Sequence, residues 1–234
     1  MRAMKRLPAS ILATVPMLLV AGTPPGVTLE IRDYVEFPIT GRLDGTGQTD
    51  GMLARINSVR EEPGGNRSRL FVNDLNGPLY IVDKSTKHAT SYLDFNGREG
   101  RHGLFHKFAF ETGYANGLNS FQFDPDYARN GRFYTVHIED PSVAGSSVPD
   151  NANYPGLNVT GYTATPAITT PGTIQREGVL IEWTDSNPSN TTLEGSAREL
   201  MRVPLNTRIH TLADLEFDPA ARRGDAEWRV LYIG

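Results

Sequence analysis

Residues 117–134 read Gly-Leu-Asn-Ser-Phe-Gln-Phe-Asp-Pro-Asp-Tyr-Ala-Arg-Asn-Gly-Arg-Phe-Tyr, and residues 213–234 close the chain on a looser version, ADLEFDPAARRGDAEWRVLYIG. Each begins with alternating apolar residues, the period of a half-buried strand. Each then turns at Asp-Pro, Asp124-Pro125 and Asp218-Pro219. Asp suits the first turn position because its carboxylate takes up nearby backbone N–H groups, and Pro suits the next because its φ is already fixed. Gly131, after Asn130, supplies a residue that tolerates positive φ. A second strand follows in both. A fainter copy without Asp-Pro runs through INSVREEPGGNRSRLFV at 56–72.

The same alternation extends along the chain. Strands are predicted at 53–59, 69–75, 79–82, 89–93, 132–138, 178–185 and 197–205, with a further strand in TLEIRDYVEFPIT at 28–40. In the strand after the first Asp-Pro turn, Tyr134, Val136 and Ile138 share one face and Phe133, Thr135 and His137 the other. The final strand is predicted over EWRVLYI, and Trp228 beside it reads as packing residue. Residues 96–116 read as a loop. Residues 141–175, rich in Gly, Pro, Ser, Thr and Asn, read as a loop-rich insertion. No helix of ten or more residues is predicted outside the N-terminus. With 23 Gly and 16 Pro in 234 residues, the composition favours many turns, and the fold class is all-β. A meander of this kind cannot bury both faces alone. Several stacked around an axis can, as in a β-propeller; a sandwich or barrel would use the same hairpin signal.

The N-terminus, MRAMKRLPASILATVPMLLVAGTPPG, places Arg2, Lys5 and Arg6 before an apolar run over 11–20 and small residues at 21–23. This is the pattern of a secretory signal over 1–21, too short and too interrupted by Pro16 to span a bilayer. It leaves a body over 22–234, periplasmic or secreted, with no stable membrane insertion after cleavage. The formal net charge is −4, and removing the signal takes away basic residues only. An acidic body without a basic run argues against nucleic acid. The absence of Cys excludes thiolate chemistry and disulfides within the chain.

The strand-turn-strand segments resemble a known family. NGLNSFQFDPDYARNGRFYTVH at 116–137 is similar to the "GLLGLAFHPDF…NGxxY" pattern of the soluble glucose/sorbosone dehydrogenases, sugar dehydrogenases that use pyrroloquinoline quinone (PQQ). HTLADLEFDPAARRGDAEWRVLYIG at 210–234 resembles their "HxGGRLxFGPDGxLYxxxGD" segment, and RLFVNDLNGPLYIVD at 69–83 their "LxVTExxGRLRxVD" strand pair. The resemblance covers roughly 50–140 and 176–234. It implies a six-bladed β-propeller, incomplete here with about two to three blades present, over residues 22–234. It implies PQQ and calcium as cofactors, a small-molecule sugar as substrate and a separate electron acceptor. His210 matches the His that opens the family's segment, which implies a general base; imidazole suits that role because it titrates near neutrality. The family's cationic Arg and calcium loop would follow Gly234, so the chain is expected to be a fragment of a longer enzyme.

The departures are specific. Leu212 and Ala213 stand where the family has paired Gly, Asp214 where it has Arg, and Asn119 where it has Leu; Ala115 or Asn116 takes the place of a Gln or Glu. They keep a rival open: a non-catalytic propeller module that binds carbohydrate or protein. No cofactor-binding residue is assigned. His102 and His106, four apart, would make a metal pair only on a helix, with His137 as a third ligand brought in by the fold; Gly103 argues against that helix, and no metal site is assigned. Asp124, Asp126 and Asp218 read as turn caps in preference to calcium ligands. Trp183 and Trp228 are candidates to stack on a sugar, with core packing the alternative.

Overall fold

The computed structural model describes residues 29–41, 53–64, 68–98, 100–110 and 115–234; the signal at 1–21 lies outside them. The chain divides into two compact units, Met1–Asp33 and Tyr34–Gly234. Of the first, the described residues 29–33 are without regular structure, with Arg32 2.6 Å from Glu30.

The regular structure of the second unit is almost wholly antiparallel strand, in three sheets. The first is a four-stranded meander, β1 (Ile56–Glu61), β2 (Arg69–Asp74), β3 (Pro78–Asp83) and β4 (Ala89–Asp94), each strand pairing with the next. The second contains β5 (Leu118–Phe123), β6 (Arg132–Glu139), β7 (Leu157–Asn158), β8 (Arg176–Asp185) and β9 (Gly195–Leu205) in the order β5-β6-β8-β9-β7. Here β5, β6, β8 and β9 repeat the meander, and β7 adds a short parallel edge. The third is the pair β10 (Leu215–Phe217) and β11 (Leu231–Ile233).

The alternation along each strand sets how the sheets pack. On β6, Phe133 and its neighbours Val179, Ile181 and Trp183 on β8 join Phe71, Leu79, Tyr92, Phe121 and Phe123 in one core between the first two sheets. The opposite face of the second sheet sends Tyr134, Val136 and Leu180 against Leu215 and Phe217 of the third. The far face of the first sheet, with Val72, Tyr80 and Val82, is covered by Val35 and Phe37. Within the second sheet β5 and β6 are thus buried on both sides, and all six residues of β5 are buried. Each large side chain so placed contributes roughly 1.5–3 kcal/mol of apolar burial. Trp183 belongs to this core. It stacks on Phe133 at 6.0 Å between centroids and donates to Thr135 Oγ1 at 2.8 Å, so the sugar-stacking role does not apply to it.

The Asp-Pro device is a cap. Asp124 Oδ1 accepts from Asp126 N, and Asp218 Oδ1 from Ala220 N, each at 2.8 Å. The same i to i+2 bond closes the turns after Asp74, Asp83, Asp94, Asp140 and Asp185, so a strand that ends on Asp satisfies the next free backbone donor locally. After Asp124 the chain makes one helical turn, α1 (Tyr127–Asn130), stopped by Gly131 at φ 62°. A Cβ at Gly131 would run into the Asp185 carbonyl.

Three expectations change. The strand foreseen at 28–40 is absent: described residues 29–40 form no ladder, and Val35 and Phe37 lie across the first sheet as packing residues. The last strand begins only at Leu231. Arg229 takes φ 63° and Val230 N bonds Glu227 O at 3.0 Å, a turn that stops the extended run; Trp228 sits in that turn, half-buried. The insertion at 141–175 carries β7, and Leu157 and Tyr162 are anchored in the first core.

Candidate functional site

The strands β5 and β8 start, and β6 and β9 finish, at the same end of the second sheet. There the segment before β5 meets the 208–214 segment. Gly117 holds φ 120° with no room for a Cβ against the Leu75 carbonyl, and Leu118 N bonds that carbonyl at 3.2 Å. Two non-glycine residues are held at positive φ, Ala115 at 59° and His210 at 53°. Such conformations cost free energy and persist only where surrounding contacts enforce them. The contacts are on hand: the Thr211 hydroxyl donates to Ala115 O. Asn119 Nδ2 lies 2.8 Å from Ala115 O, 3.1 Å from Thr211 Oγ1 and 2.7 Å from Leu212 O. Asn116 Nδ2 donates to Arg208 O at 2.9 Å. Leu212 seats over Gly178, where a Cβ would approach it to 2.8 Å.

These partners fix both amides with nitrogen toward the carbonyls. The oxygens, Asn116 Oδ1 and Asn119 Oδ1, are buried and accept no hydrogen bond. An unmet buried acceptor costs about 1–3 kcal/mol. Asn119 lines a recess of about 480 Å³ together with Asn57, Ser58, Leu75, Ala213 and Asp214. Asp214 Oδ1 accepts from Ser120 Oγ at 3.1 Å and Leu215 N at 2.8 Å. Arg60 also reaches the recess, but its guanidinium is engaged by Phe121 O, Leu215 O and Glu216 at 2.8, 3.3 and 3.2 Å.

His210 is exposed on the segment leading to the recess and does not line it. Of the departures noted in the sequence, Ala115, Asn119, Ala213 and Asp214 meet in one lining. Asn57 and Ser58 were missed: they lie on β1, distant in sequence, and reach the recess only because Asn57 Nδ2 donates to Asn119 O at 2.7 Å.

The histidines do not assemble. His102 is exposed, His106 Nε2 lies 3.5 Å from Asp150, and neither is on a helix. His137 is fully buried and stacks on Phe105 at 4.2 Å. No group of three metal-ligating side chains occurs among the described residues. His137 belongs instead to a buried charge network. Its Nε2 is 3.4 Å from Glu139, and Arg202 Nη1 is 2.7 Å from both Glu139 and Glu177. Arg202 also grips Glu199 through Nη2 at 2.9 Å and Nε at 3.0 Å. Burial works to raise the Glu139 carboxyl, but the contacts from His137 and Arg202 outweigh it and hold it below its ordinary value. Glu199 also accepts from Tyr162 and Thr165, pinning the insertion to β9.

The lining bears on PQQ. Its open side-chain oxygen is an acceptor, Oδ2 of exposed Asp214, since the described bonds to that carboxylate fall on Oδ1. A quinone with three carboxylates presents more acceptors to such a surface, and the Arg60 donors are committed elsewhere. The recess as lined does not fit PQQ. No family model matches the chain, and no curated protein matches it.

Proposed function

We propose that the chain is a β-propeller sector of the glucose/sorbosone dehydrogenase type, and that the recess between β1, β5 and the 212–214 segment binds a saccharide. The propeller reading is supported by the repeated meander and by the gathering of first strands. β5 is bridged to β1 by Arg60 and Asn57, and to β10 by Gln122 on Glu216 at 2.5 Å. The observation that carries the ligand reading is a recess lined by polar side chains, Asn57, Ser58, Arg60, Asn119 and Asp214. Hydroxyl groups both donate to and accept from such side chains, and a saccharide offers several on a rigid ring. Saturation-transfer NMR on the folded protein with a panel of monosaccharides tests this. Binding in the millimolar range, lost in Ala213→Trp, is the expected result; absence of binding across the panel refutes it.

Oxidation of an aldose or related sugar is the second reading. The strained φ of His210 favours it, since strain of this kind collects at working residues. His210 would take a hydroxyl proton as general base. Reduction of an electron-acceptor dye by the protein with added aldose, falling at least about 100-fold in His210→Ala, would establish this reading; no reduction would leave binding alone.

A further inference from the structure

The second and third sheets differ in width. In the second, β5, β6, β8 and β9 lie side by side; the third has only β10 and β11. Tyr134, Val136 and Leu180 are buried against Leu215 and Phe217, but Leu200 and Met201 of β9 and Leu231 and Ile233 of β11 join that cluster only partly buried. The outer edge of β11 is open: no strand lies beyond it among the described residues. Asp214 N and Gly234 N each bond the other residue's carbonyl at 3.1 Å. Bonded and non-bonded pairs alternate along an antiparallel ladder, so Tyr232 bonds Glu216, and the N–H and C=O groups of Leu231 and Ile233 point away from β10. Four unpaired backbone groups beside half-covered apolar side chains are a template for one more strand. The chain holds a segment of the matching kind. Leu29 and Ile31 are 83% and 94% exposed. They alternate with Glu30 and Arg32, and the described residues there join no ladder. The segment belongs to the unit Met1–Asp33, apart from the body. Laid antiparallel on β11 with Leu29 opposite Ile233 and Ile31 opposite Leu231, it meets all four open groups. The same register puts Leu29 and Ile31 on the apolar face with Leu231 and Ile233, and Glu30 beside exposed Tyr232 on the other. A slip of one residue would reverse both faces.

We infer that β11 takes residues 29–33 of a second copy of this chain as a third strand, so that the protein self-associates by strand exchange. Reciprocal exchange closes a dimer, and one-way exchange gives longer oligomers. The test pairs light scattering with amide hydrogen exchange on the folded protein, between about 2 and about 200 μM. The mean mass is expected to rise with concentration from that of the monomer. Over the same range the Leu231 and Ile233 amides should exchange at least about ten-fold more slowly, while Tyr232, bonded to Glu216 in either state, should not change with concentration. Ile31→Lys alters a side chain that is 94% exposed, so the monomer should fold as before; a charge on the added strand should abolish both effects. A protein that stays monomeric across the range overturns the inference. So does association that survives Ile31→Lys, or that leaves the Leu231 and Ile233 amides exchanging freely. Slow exchange of those two amides in the dilute monomer also overturns it, because the edge would then be covered within one chain.

Discussion

Arg202→Met probes the buried network in the second sheet. The substitution keeps an unbranched side chain of similar length and removes four charge-assisted contacts, to Glu139, Glu177 and Glu199 at 2.7–3.0 Å. The Glu139 and Glu199 side chains are fully buried. Removing their shared cation leaves two carboxylates without solvent, and breaking a buried pair in this way costs about 3–5 kcal/mol. With a urea dependence of about 3 kcal/mol/M, the unfolding midpoint should fall by about 1–1.7 M at pH 7. The pH dependence carries the mechanism. Glu139 is held below its ordinary 4.5 in the folded protein. Its contribution is therefore present above that value and lost as pH falls through the folded pKa. In the variant Glu139 keeps its contact with His137 but loses that with Arg202, so its pKa rises and protonation relieves part of the penalty. The gap between the two proteins should narrow steadily between pH 7 and 4. A loss under about 1 kcal/mol at pH 7, or a gap that does not change with pH, would refute the view that Arg202 neutralises this cluster.

Asp124 and Asp218 cap equivalent turns, but only Asp124 is fully buried, with Arg229 Nη2 at 2.6 Å and Tyr134 Oη at 3.2 Å as well. Urea titration should therefore show Asp124→Ala losing about 3 kcal/mol, against about 1 kcal/mol for Asp218→Ala. Gly131→Ala forces a side chain into positive φ and toward the Asp185 carbonyl; a loss of about 1–3 kcal/mol is expected by thermal unfolding, and an unchanged midpoint would contradict that geometry. Burial raises the Asp94 carboxyl from 3.8 to about 6. An acid raised on folding favours the folded state at low pH, and that contribution is lost as pH rises through about 6. Asp94→Asn should then be about 1–2 kcal/mol more stable than wild type at pH 7, after discounting for partial exposure, with no gain near pH 4.

Much of the fold was legible because local rules govern it. Short runs rich in β-branched and aromatic residues, bracketed by turn signals, marked β2, β3 and β6 to within a residue at each end, since both the strand and its turns are written locally. Asp-Pro was read correctly as a cap because the bond runs only two residues along the chain. The failures lie where local preference was overridden. Leu29, Ile31 and Val35 alternate like a strand, yet the described residues there pair with nothing. WRVLY reads as extended, yet Arg229 turns at positive φ and places its guanidinium 2.6 Å from Asp124. Asn119 and Asp214 stood out only as departures from a motif; that they share a recess with Asn57 and Ser58 has no local signature.

By itself the sequence determined an all-β chain, the strands of its meanders, the capped turns between them and the absence of cysteine chemistry, because each follows from neighbours within a few residues. Only the tertiary structure decided that both faces of β5 and β6 are covered, that His137 is a core residue and that Trp183 bonds Thr135. It alone brought Glu139, Glu177 and Glu199 to one guanidinium and left the Asn119 oxygen unmet beside Asp214. Those outcomes depend on side chains brought together from separate strands, and whether a polar atom finds a partner there is settled by the packing of sheets, which no local periodicity encodes.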